Sequence, residues 1–364
     1  MRGKIGSRRL SRALAALFSL TLATPALAQQ ATPPAAAAEP QTHARPLGAG
    51  CFGEDPADAI SGCSTMIAVG DGPIVALALI HRARAFAMTG DDKRALADLD
   101  RSLRIESRPA VGWMVRGGVE YRQERFAEAI ADYDEALKRE PRSTDALHGR
   151  GAAWGKLGQY DKAIADFTQA VTIDPKDAAG FYDRAASYRA QGQIDKALED
   201  YGVAIALEPR DARFYDSRAD VWGQLGRTDR MGQDLQEAAE LAPADPHYVE
   251  RLCRLRVLVR ELDRAAEACG TALKLAPMSR SVRISLGAMG LARGEPDAAI
   301  AEFDQVLGAD PAEPQALYGR GLARRMKGDR SGAEADLSAA RARDPETGKM
   351  WQALRLDPAE APQR

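Results

Sequence analysis

The chain has 364 residues, of which 28% are charged and only 6% are aromatic. This balance suits helices packed through small residues better than it suits a sheet core. The formal net charge is −2, but five of the 50 basic residues lie in the first twelve positions; without that segment, 45 basic against 52 acidic residues leave −7. A general nucleic-acid-binding protein is therefore not expected.

The first residues have the organisation of an export signal. A basic stretch, MRGKIGSRRLSR, precedes a short apolar run, and TPALA ends in a small-x-small cleavage pattern. We therefore predict a signal peptide over residues 1–28. The apolar run is too short for a membrane-spanning helix of roughly 20 residues, so we expect no permanent membrane anchor. Ser11 and Arg12 stand where a twin-arginine signal has apolar residues, which favours the ordinary secretory route.

Residues 29–50 are rich in Pro, Ala and Gly and have almost no large apolar side chains. Such a segment cannot bury enough surface to offset the entropy of ordering it, so we predict a flexible leader. Residues 51–75 predict a lone helix, an N-terminal capping half-repeat. We expect an exported protein, periplasmic or secreted.

From residue 76 to residue 347 the sequence repeats with a period of 34 residues. A proline marks the end of most units, and a small residue usually stands twelve positions before each mark. These positions are Ala95, Ala129, Ala163, Ala197, Met231, Ala265, Ala299 and Ala333. A second small residue seven positions later lies on the same helical face, where another helix can approach closely. Glycine recurs at the bend of each unit, with Glu124 and Arg260 as the exceptions.

This pattern, clearest in LHGRGAAWGKLGQYDKAIADFTQAVTIDP (residues 147–175), resembles the tetratricopeptide repeat. Each unit then forms two antiparallel helices, A and B, and stacking buries apolar stripes that one unit cannot bury alone. The resemblance implies an all-α fold, an α-solenoid of eight tetratricopeptide helical hairpins. It also implies a right-handed superhelix with N- and C-terminal capping helices. We assign the C-terminal capping helix and tail to residues 348–364, and expect looser packing or a bend in the fifth unit (212–245).

An arginine of helix A and an aspartate of helix B recur sixteen residues apart, on opposite arms of the hairpin. Six units have both residues: Arg82 with Asp98, Arg116 with Asp132, Arg150 with Asp166, Arg184 with Asp200, Arg218 with Asp234, and Arg320 with Asp336. The sixth unit has neither, with Leu252 and Ala268 in their places, as expected if the two sites touch. We predict structural Arg–Asp rungs, partly buried and bidentate. The alternative is separate recurrence of both residues from a duplicated ancestor.

Four cysteines predict two local disulfides. Cys253 and Cys269 are sixteen residues apart, one position beyond the missing rung, and Cys51 and Cys63 are twelve apart. Packed helix axes lie roughly 8–10 Å apart, whereas a disulfide needs Cα atoms within about 7 Å, so buried thiols are the alternative. Of the three possible connectivities, the local one is the most economical, and it requires an oxidising compartment.

The sequence offers no catalytic constellation. No nucleophile stands beside a base in a known motif, and no phosphate-binding glycine spacing occurs. The four histidines are scattered and no Cys-x-x-Cys is present, which disfavours a zinc site. We expect a non-catalytic protein without cofactors.

The resemblance implies a binding surface on the concave face, formed by the inner positions of the A helices. The candidates there are Arg84, Tyr121, Arg122, Tyr182, Arg189 and Arg254. Cations interleaved with tyrosines predict capture of an acidic or extended peptide of a partner protein, although cations late in a helix also favour the macrodipole without a partner. We predict a periplasmic protein–protein interaction scaffold. The alternatives are a cell-wall or carbohydrate-binding accessory protein and a non-catalytic subunit of an envelope complex.

Overall fold

A computed structural model describes residues 48–356. The predicted signal peptide, the leader up to residue 47 and the tail from residue 357 lie outside the described residues. Within them every regular element is an α-helix, which confirms the predicted all-helical solenoid. No helix in this part of the chain has the length and apolar character that a membrane crossing requires.

The first of two compact units ends at Gly192. Its helices are α1 (Pro56–Val69), α2 (Gly72–Met88), α3 (Asp92–Ile105), α4 (Ala110–Arg122), α5 (Phe126–Arg139), α6 (Thr144–Lys156), α7 (Tyr160–Ile173) and α8 (Ala178–Ala190). The A helices are α2, α4, α6 and α8, and the B helices are α3, α5 and α7. Each B helix packs against the A helix before it and the A helix after it, so hairpins stack in sequence order.

The second unit begins at Gln193. Its helices are α9 (Ile194–Leu207), α10 (Ala212–Gln224), α11 (Thr228–Leu241), α12 (Pro246–Leu258), α13 (Leu262–Leu275), α14 (Arg280–Arg293), α15 (Pro296–Ala309), α16 (Pro314–Met326), α17 (Arg330–Arg343) and α18 (Gly348–Ala353). The A helices here are α10, α12, α14 and α16. The predicted handedness of the superhelix stays a prediction.

Small residues allow the two arms of a hairpin to approach. Ala129 and Ala163 in the first unit and Ala265 and Ala299 in the second have no exposed surface. A larger side chain at such a position overpacks the core, which typically costs about 1–3 kcal/mol. Met231 takes this position in α11, and its side chain is accommodated because the facing Gly223 has no Cβ: an added Cβ would lie 3.3 Å from the Met231 sulfur.

The hairpin bends require a left-handed backbone, which explains the recurrent glycine. The bend residue has a positive φ throughout, including 61° at Glu124 and 63° at Arg260. These are the two repeats in which the sequence has a residue other than glycine at the bend. Residues with a Cβ tolerate this conformation at a cost of about 1 kcal/mol. Glu124 and Arg260 therefore adopt the same bend as the glycines of the other repeats.

Both ends of the described chain are covered. At the N-terminal end, α1 packs against α2 in the manner of a preceding B helix. At the C-terminal end, Trp351 of α18 is fully buried and lies edge-on to Phe303 and parallel to Tyr318. Gly319 makes room for it, since an added Cβ would lie 2.6 Å from the indole. The two capping helices therefore shield apolar surface that a terminal hairpin would expose.

The structure contains two disulfides, Cys51–Cys63 and Cys253–Cys269. The Cα atoms of Cys253 and Cys269 are 4.8 Å apart, well inside the separation of the helix axes. Both residues are fully buried between α12 and α13. The bond thus joins α12 to α13, one position beyond the place where other repeats have an Arg–Asp rung.

We expect that replacing both Cys253 and Cys269 with alanine lowers the free energy of unfolding by about 3 kcal/mol, because the unfolded chain loses a loop constraint. Urea unfolding of the oxidised parent and the double variant measures the difference. Intact-mass analysis without reductant should show the loss of two hydrogens for each bond. Equal unfolding midpoints for parent and variant would contradict the expectation.

Candidate functional site

Five of the predicted Arg–Asp rungs are bidentate hydrogen-bonded ion pairs. In the first unit, Arg116 donates from Nε and Nη2 to the two oxygens of Asp132, both at 2.7 Å. The hydrogen bonds to Asp132 raise the pKa of Arg116, so its guanidinium keeps its charge. Four further pairs have the same arrangement: Arg82 with Asp98, Arg150 with Asp166, Arg218 with Asp234, and Arg320 with Asp336.

The carboxylates of these rungs are almost completely removed from solvent. The exposed fraction is 7% for Asp98, 5% for Asp166 and Asp336, and 4% for Asp132 and Asp234. A carboxylate in such surroundings is strongly destabilising unless a cation pairs with it. The predicted rungs are therefore buried on the aspartate side and partly exposed on the arginine side.

The first and the last of these rungs each have a further polar partner on a neighbouring side chain. Arg82, which binds Asp98, also donates from Nη1 to the hydroxyl of Ser64 in α1 at 2.9 Å. Asp336 receives a second guanidinium, because Nη1 of Arg324 lies 2.9 Å from its Oδ2. The first contact ties the capping helix to the first repeat, and the second adds a charge to the last hairpin.

The sixth predicted pair is divided between the two compact units, with Arg184 in the first and Asp200 in the second. The seventh repeat has a different ion pair. In the seventh repeat, where Leu286 replaces the arginine, Glu302 of α15 instead accepts a hydrogen bond of 3.0 Å from Arg283 of α14. The carboxylate of helix B thus pairs with an arginine that lies three residues before the usual position on helix A.

Three of the rung arginines also form an ion pair with the preceding repeat, which the sequence reading missed. Arg116 donates from Nη1 to Asp100 at 2.8 Å, Arg150 to Asp134 at 2.6 Å, and Arg320 to Asp304 at 2.7 Å. Each second acid lies sixteen residues before its arginine. That spacing was a detectable signal, but the sequence reading considered only the acid that follows each arginine. One guanidinium therefore holds its own hairpin closed and links it to the previous one.

In the first unit, polar side chains also connect consecutive A helices. His148 of α6 hydrogen-bonds Asp177, the N-cap of α8, and its Nδ1 lies 3.7 Å from Asp183. Burial alone would lower the pKa of His148, but these two carboxylates outweigh it and raise the pKa to about 10. The imidazole is therefore a fixed cation near neutral pH. Burial raises the pKa of the neighbouring Asp145, with Asp177 adding to the effect.

The second unit has a corresponding link. Arg251 of α12 is bound by two carboxylates of α10, Asp216 at 2.5 Å and Asp220. His247 adds a contact of 3.2 Å to Asp216, which raises the pKa of that imidazole. Charge pairs thus connect neighbouring A helices at their inner positions in both units.

The six predicted binding candidates differ in their exposure and in their contacts. Arg122 is paired with Asp92 of α3, Tyr121 lies edge-on to Phe126 at 5.4 Å, and Tyr182 is 7% exposed. Arg189 is partly buried in α8. Arg254 is exposed and has no ion pair within residues 48–356. Arg84 is 8% exposed and lines a small cavity at the N-terminal end of the first unit. The six residues do not form one continuous cluster.

Glu120 is a buried acid that sequence reasoning did not identify. It lies near the end of α4, 9% exposed, with its Oε1 3.8 Å from the guanidinium of Arg125. Burial and the nearby Asp132 raise the pKa of Glu120 to about 7, against the opposing influence of Arg116 and Arg125. The other repeats have no carboxylate at this position, so the repeat pattern gave no reason to expect one.

The comparisons with known proteins agree with this architecture. A family model described as tetratricopeptide repeat matches residues 116–178, 259–314 and 290–347. No curated protein sequence matches the chain.

Several solved structures are similar. One is pilF of Pseudomonas aeruginosa, with 18% identity and a TM-score of 0.50 over 57% of this chain and 95% of that one. Another is the APC/C hetero-tetramer Cut9-Hcn1, with 16% identity and a TM-score of 0.50 over 76% of this chain and 53% of that one. A tetratricopeptide repeat protein from Parabacteroides merdae has 18% identity and a TM-score of 0.49 over 72% and 97%. Identities this low establish the fold alone.

The rung at Arg218 and Asp234 allows the cleanest test of coupling, because the described contacts of Arg218 include no second carboxylate. We expect Arg218→Leu to lower the free energy of unfolding by about 3 kcal/mol, since it leaves a buried carboxylate unpaired. The double variant with Asp234→Leu should lose less than the sum of the single losses. Urea unfolding of all four proteins completes the cycle, and strict additivity would rule out a direct pair.

Glu120 should make stability depend on pH. Because its folded-state pKa is raised, its contribution to stability is fully present below about pH 4 and is lost as pH rises through 7. We therefore expect Glu120→Gln to gain about 1–3 kcal/mol relative to the parent between pH 4 and pH 8. Urea unfolding across this range, with the exposed Glu140→Gln as control, measures it. Parallel pH profiles for parent and Glu120→Gln would contradict it.

Proposed function

Because the chain is a tetratricopeptide repeat protein, we propose that it is an exported, periplasmic interaction scaffold without catalysis of its own. It binds a peptide segment of a partner protein on a concave face formed by the inner positions of its A helices. The fold supports interaction in general, and the choice of partner lies in the side chains of that face.

Two features support export. The first twelve residues are basic, and a short apolar run and a small-x-small site follow them. Two disulfides join the only four cysteines of the chain. Disulfides of this structural kind persist in oxidising compartments and are rare in the cytosol.

The observation that carries the proposed binding function is the fixed order of the inner positions. His148 is held by Asp177 and Asp183, and Arg251 is held by Asp216 and Asp220. A partner that binds there meets side chains that have already lost their conformational freedom, so less entropy is lost on association. Ordered polar side chains outside the core are what a preformed peptide-binding face requires.

Carbohydrate binding is the second candidate, and the placement of the tyrosines bears on the choice between the two. Stacking on a sugar needs an open aromatic face. Tyr182 is 7% exposed and Tyr121 is covered on one edge by Phe126. This placement favours a peptide over a polysaccharide in the first unit.

We expect the triple variant Arg122→Ala, Arg189→Ala and Arg254→Ala to capture at least about fivefold less partner than the parent, because the cations of the face are removed. The measurement is affinity capture from a native envelope extract, quantified by mass spectrometry. Circular dichroism should show unchanged helix content.

The matched control removes three exposed arginines from α3 and the turn after α5, Arg101, Arg104 and Arg142. Capture by this control should equal that of the parent. Unchanged capture by the first triple variant would place the binding site elsewhere. Co-sedimentation with purified sacculi, insensitive to the triple variant, would support the carbohydrate alternative instead.

A further inference from the structure

The fifth and ninth residues of the A helices are inner positions, and in the second unit they are accessible on α10 and α12. In α14 and α16 these positions are buried, at most 6% exposed: Ile284, Ala288, Tyr318 and Leu322. In α10 and α12 they are polar and open to solvent at least in part: Asp216, Asp220, Glu250 and Arg254. A partner chain on this unit can therefore reach these inner side chains of α10 and α12.

Arg254 is a cation of this surface that the scaffold leaves unpaired. Arg251, three residues earlier on α12, is bound by two carboxylates of α10. Glu250 accepts a hydrogen bond of 2.9 Å from the hydroxyl of Ser281. Arg254 is exposed, and its guanidinium has neither an ion pair nor a hydrogen bond within residues 48–356. Its charge is thus available to a partner.

The register between α10 and α12 explains why no carboxylate of α10 pairs with Arg254. Two charge pairs join the second residue of α12 to the fifth of α10 and the sixth to the ninth: His247 with Asp216, and Arg251 with Asp220. The same offset places Gly223, the twelfth residue of α10, beside Arg254, the ninth of α12. Because glycine has no side chain to offer, water is left to solvate the guanidinium.

Leu258 adds an apolar side chain beside this cation. It lies four residues after Arg254, on the same face of α12, and is 41% exposed. The buried side of the helix is fixed, because Cys253 and Leu255 are buried and Cys253 is bonded to Cys269 of α13. A cation and an apolar side chain are therefore held about one helical turn apart, roughly 6 Å along the axis.

That separation matches alternate residues of an extended peptide. Successive side chains of an extended chain point to opposite sides, and residues two positions apart lie on one side, about 6.6 Å from each other. An extended chain parallel to α12 can thus place a carboxylate at Arg254 and an apolar side chain at Leu258. One residue then separates the acidic residue of the peptide from its apolar residue.

The charge of Glu250 opposes an acidic occupant, but from a greater distance. Glu250 lies four residues before Arg254 on α12, and Cβ atoms at this spacing are roughly 5–6 Å apart. A carboxylate that is hydrogen-bonded to a guanidinium lies about 3 Å from it. Attraction at the shorter distance exceeds repulsion from the more distant acid. Charge complementarity at Arg254 therefore favours an acidic residue over a neutral or basic one.

We propose that Arg254 and Leu258 form an anchor site for an extended partner peptide that has an acidic residue and an apolar residue two positions apart. The carboxylate binds the guanidinium in place of water, and the apolar side chain covers Leu258. This inference rests on the proposed scaffold function and names the chemistry of one partner contact.

The test uses the mature full-length chain and three fluorescent peptides with amidated C-termini. The Glu probe, Gly-Leu-Ser-Glu-Ser-Leu-Gly, has leucine two positions from glutamate in both directions. The Gln probe has glutamine in place of glutamate. The shifted probe, Gly-Ser-Leu-Glu-Leu-Ser-Gly, has the composition of the Glu probe but places leucine next to glutamate.

Fluorescence anisotropy should show that the Glu probe binds about fivefold more tightly than the Gln probe, because only glutamate supplies a charge. It should bind about threefold more tightly than the shifted probe, whose leucines point away from Leu258. Added salt should reduce the difference between the Glu and Gln probes. Equal affinity of the Glu probe and either of the other two would overturn the proposal.

Two substitutions near the anchor should have opposite effects on the Glu probe. Arg254→Gln should weaken binding about fivefold, and Glu250→Gln should strengthen it about twofold, because it removes a repelling charge. The control Arg230→Gln removes an exposed cation of α11 and should leave the affinity unchanged. Arg254 and Arg230 are both exposed, so neither substitution acts through the fold. Equal losses in these two variants would refute a specific contact at Arg254.

A second pair of variants tests the apolar contact. Leu258→Gln should weaken binding of the Glu probe about threefold, because the leucine of the probe loses its neighbour. Leu275→Gln, at the end of α13, changes a residue of similar exposure, 37% against 41%, and should have no effect. Equal affinities of the two variants would refute the role of Leu258.

Chemical coupling locates the bound carboxylate. In Arg254→Lys, a carbodiimide should join the carboxylate of the Glu probe to the new amine at position 254 through an amide bond, which peptide mapping by mass spectrometry identifies. Lys274 of α13 is an exposed lysine of the same unit and serves as the internal comparison. Coupling to Lys274 without coupling at position 254 would overturn the proposal.

Other occupants of the anchor give distinct results. The tail after α18 contains two acids, so a tenfold or larger gain in probe affinity with Asp357→Asn and Glu360→Gln would show that the tail fills the site. A dimer that the Glu probe dissociates would identify a second copy as the occupant. Either result overturns the proposal.

The two functional proposals can fail separately. The double variant Arg122→Ala with Arg189→Ala keeps Arg254 and Leu258 and should bind the Glu probe like the parent. Unchanged partner capture by the triple variant would count against the scaffold proposal, whatever the probes show. Probes that bind equally would overturn the anchor alone, even if the triple variant loses capture.

Discussion

The hairpins depend on a buried carboxylate of helix B that must be met by an arginine of helix A. At 4–7% exposure, the aspartates of the rungs have almost no water around them, so an unpaired charge there would be strongly destabilising. The bidentate geometry restricts the rotation of both helices about their axes, because the two parallel hydrogen bonds form only when the carboxylate faces the edge of the planar guanidinium. Where the pair is absent, in α12 and α13, a disulfide with a Cα separation of 4.8 Å holds the same arms together.

At three places the guanidinium of a rung also links two neighbouring repeats. Arg116, Arg150 and Arg320 each bind one acid in their own hairpin and one in the preceding B helix. Separating two repeats at such a place therefore also perturbs the charge balance inside a hairpin. In a linear array, nearest-neighbour terms of this kind determine whether repeats unfold singly or together. Arg218, whose described contacts include one carboxylate only, marks a weaker junction by this criterion.

Features that recur in phase were predictable from the sequence, and features that occur once were not. The helices, the bends at Glu124 and Arg260, and the sixteen-residue spacing of arginine and aspartate all repeat, so each copy supports the others. The contact of Arg283 with Glu302 follows from one local replacement and has no repeated counterpart in the sequence pattern. The burial of Tyr182 was likewise hidden, because the exposure of one side chain depends on the particular residues that pack around it. Periodicity predicts backbone geometry more reliably than it predicts the exposure of a single residue.

Several charges on the inner positions of the A helices are already neutralised by neighbouring carboxylates, and this constrains the proposed recognition of a partner. An acidic peptide that contacts Arg251 must compete with Asp216 and Asp220, so the new contact replaces an existing one and adds little net free energy. Arg254 lies three residues further along α12, is exposed, and has no ion pair among residues 48–356. A contact to this residue replaces only water. We therefore expect discrimination between partners to come from exposed charged side chains such as Arg254. The paired residues keep the surrounding side chains ordered.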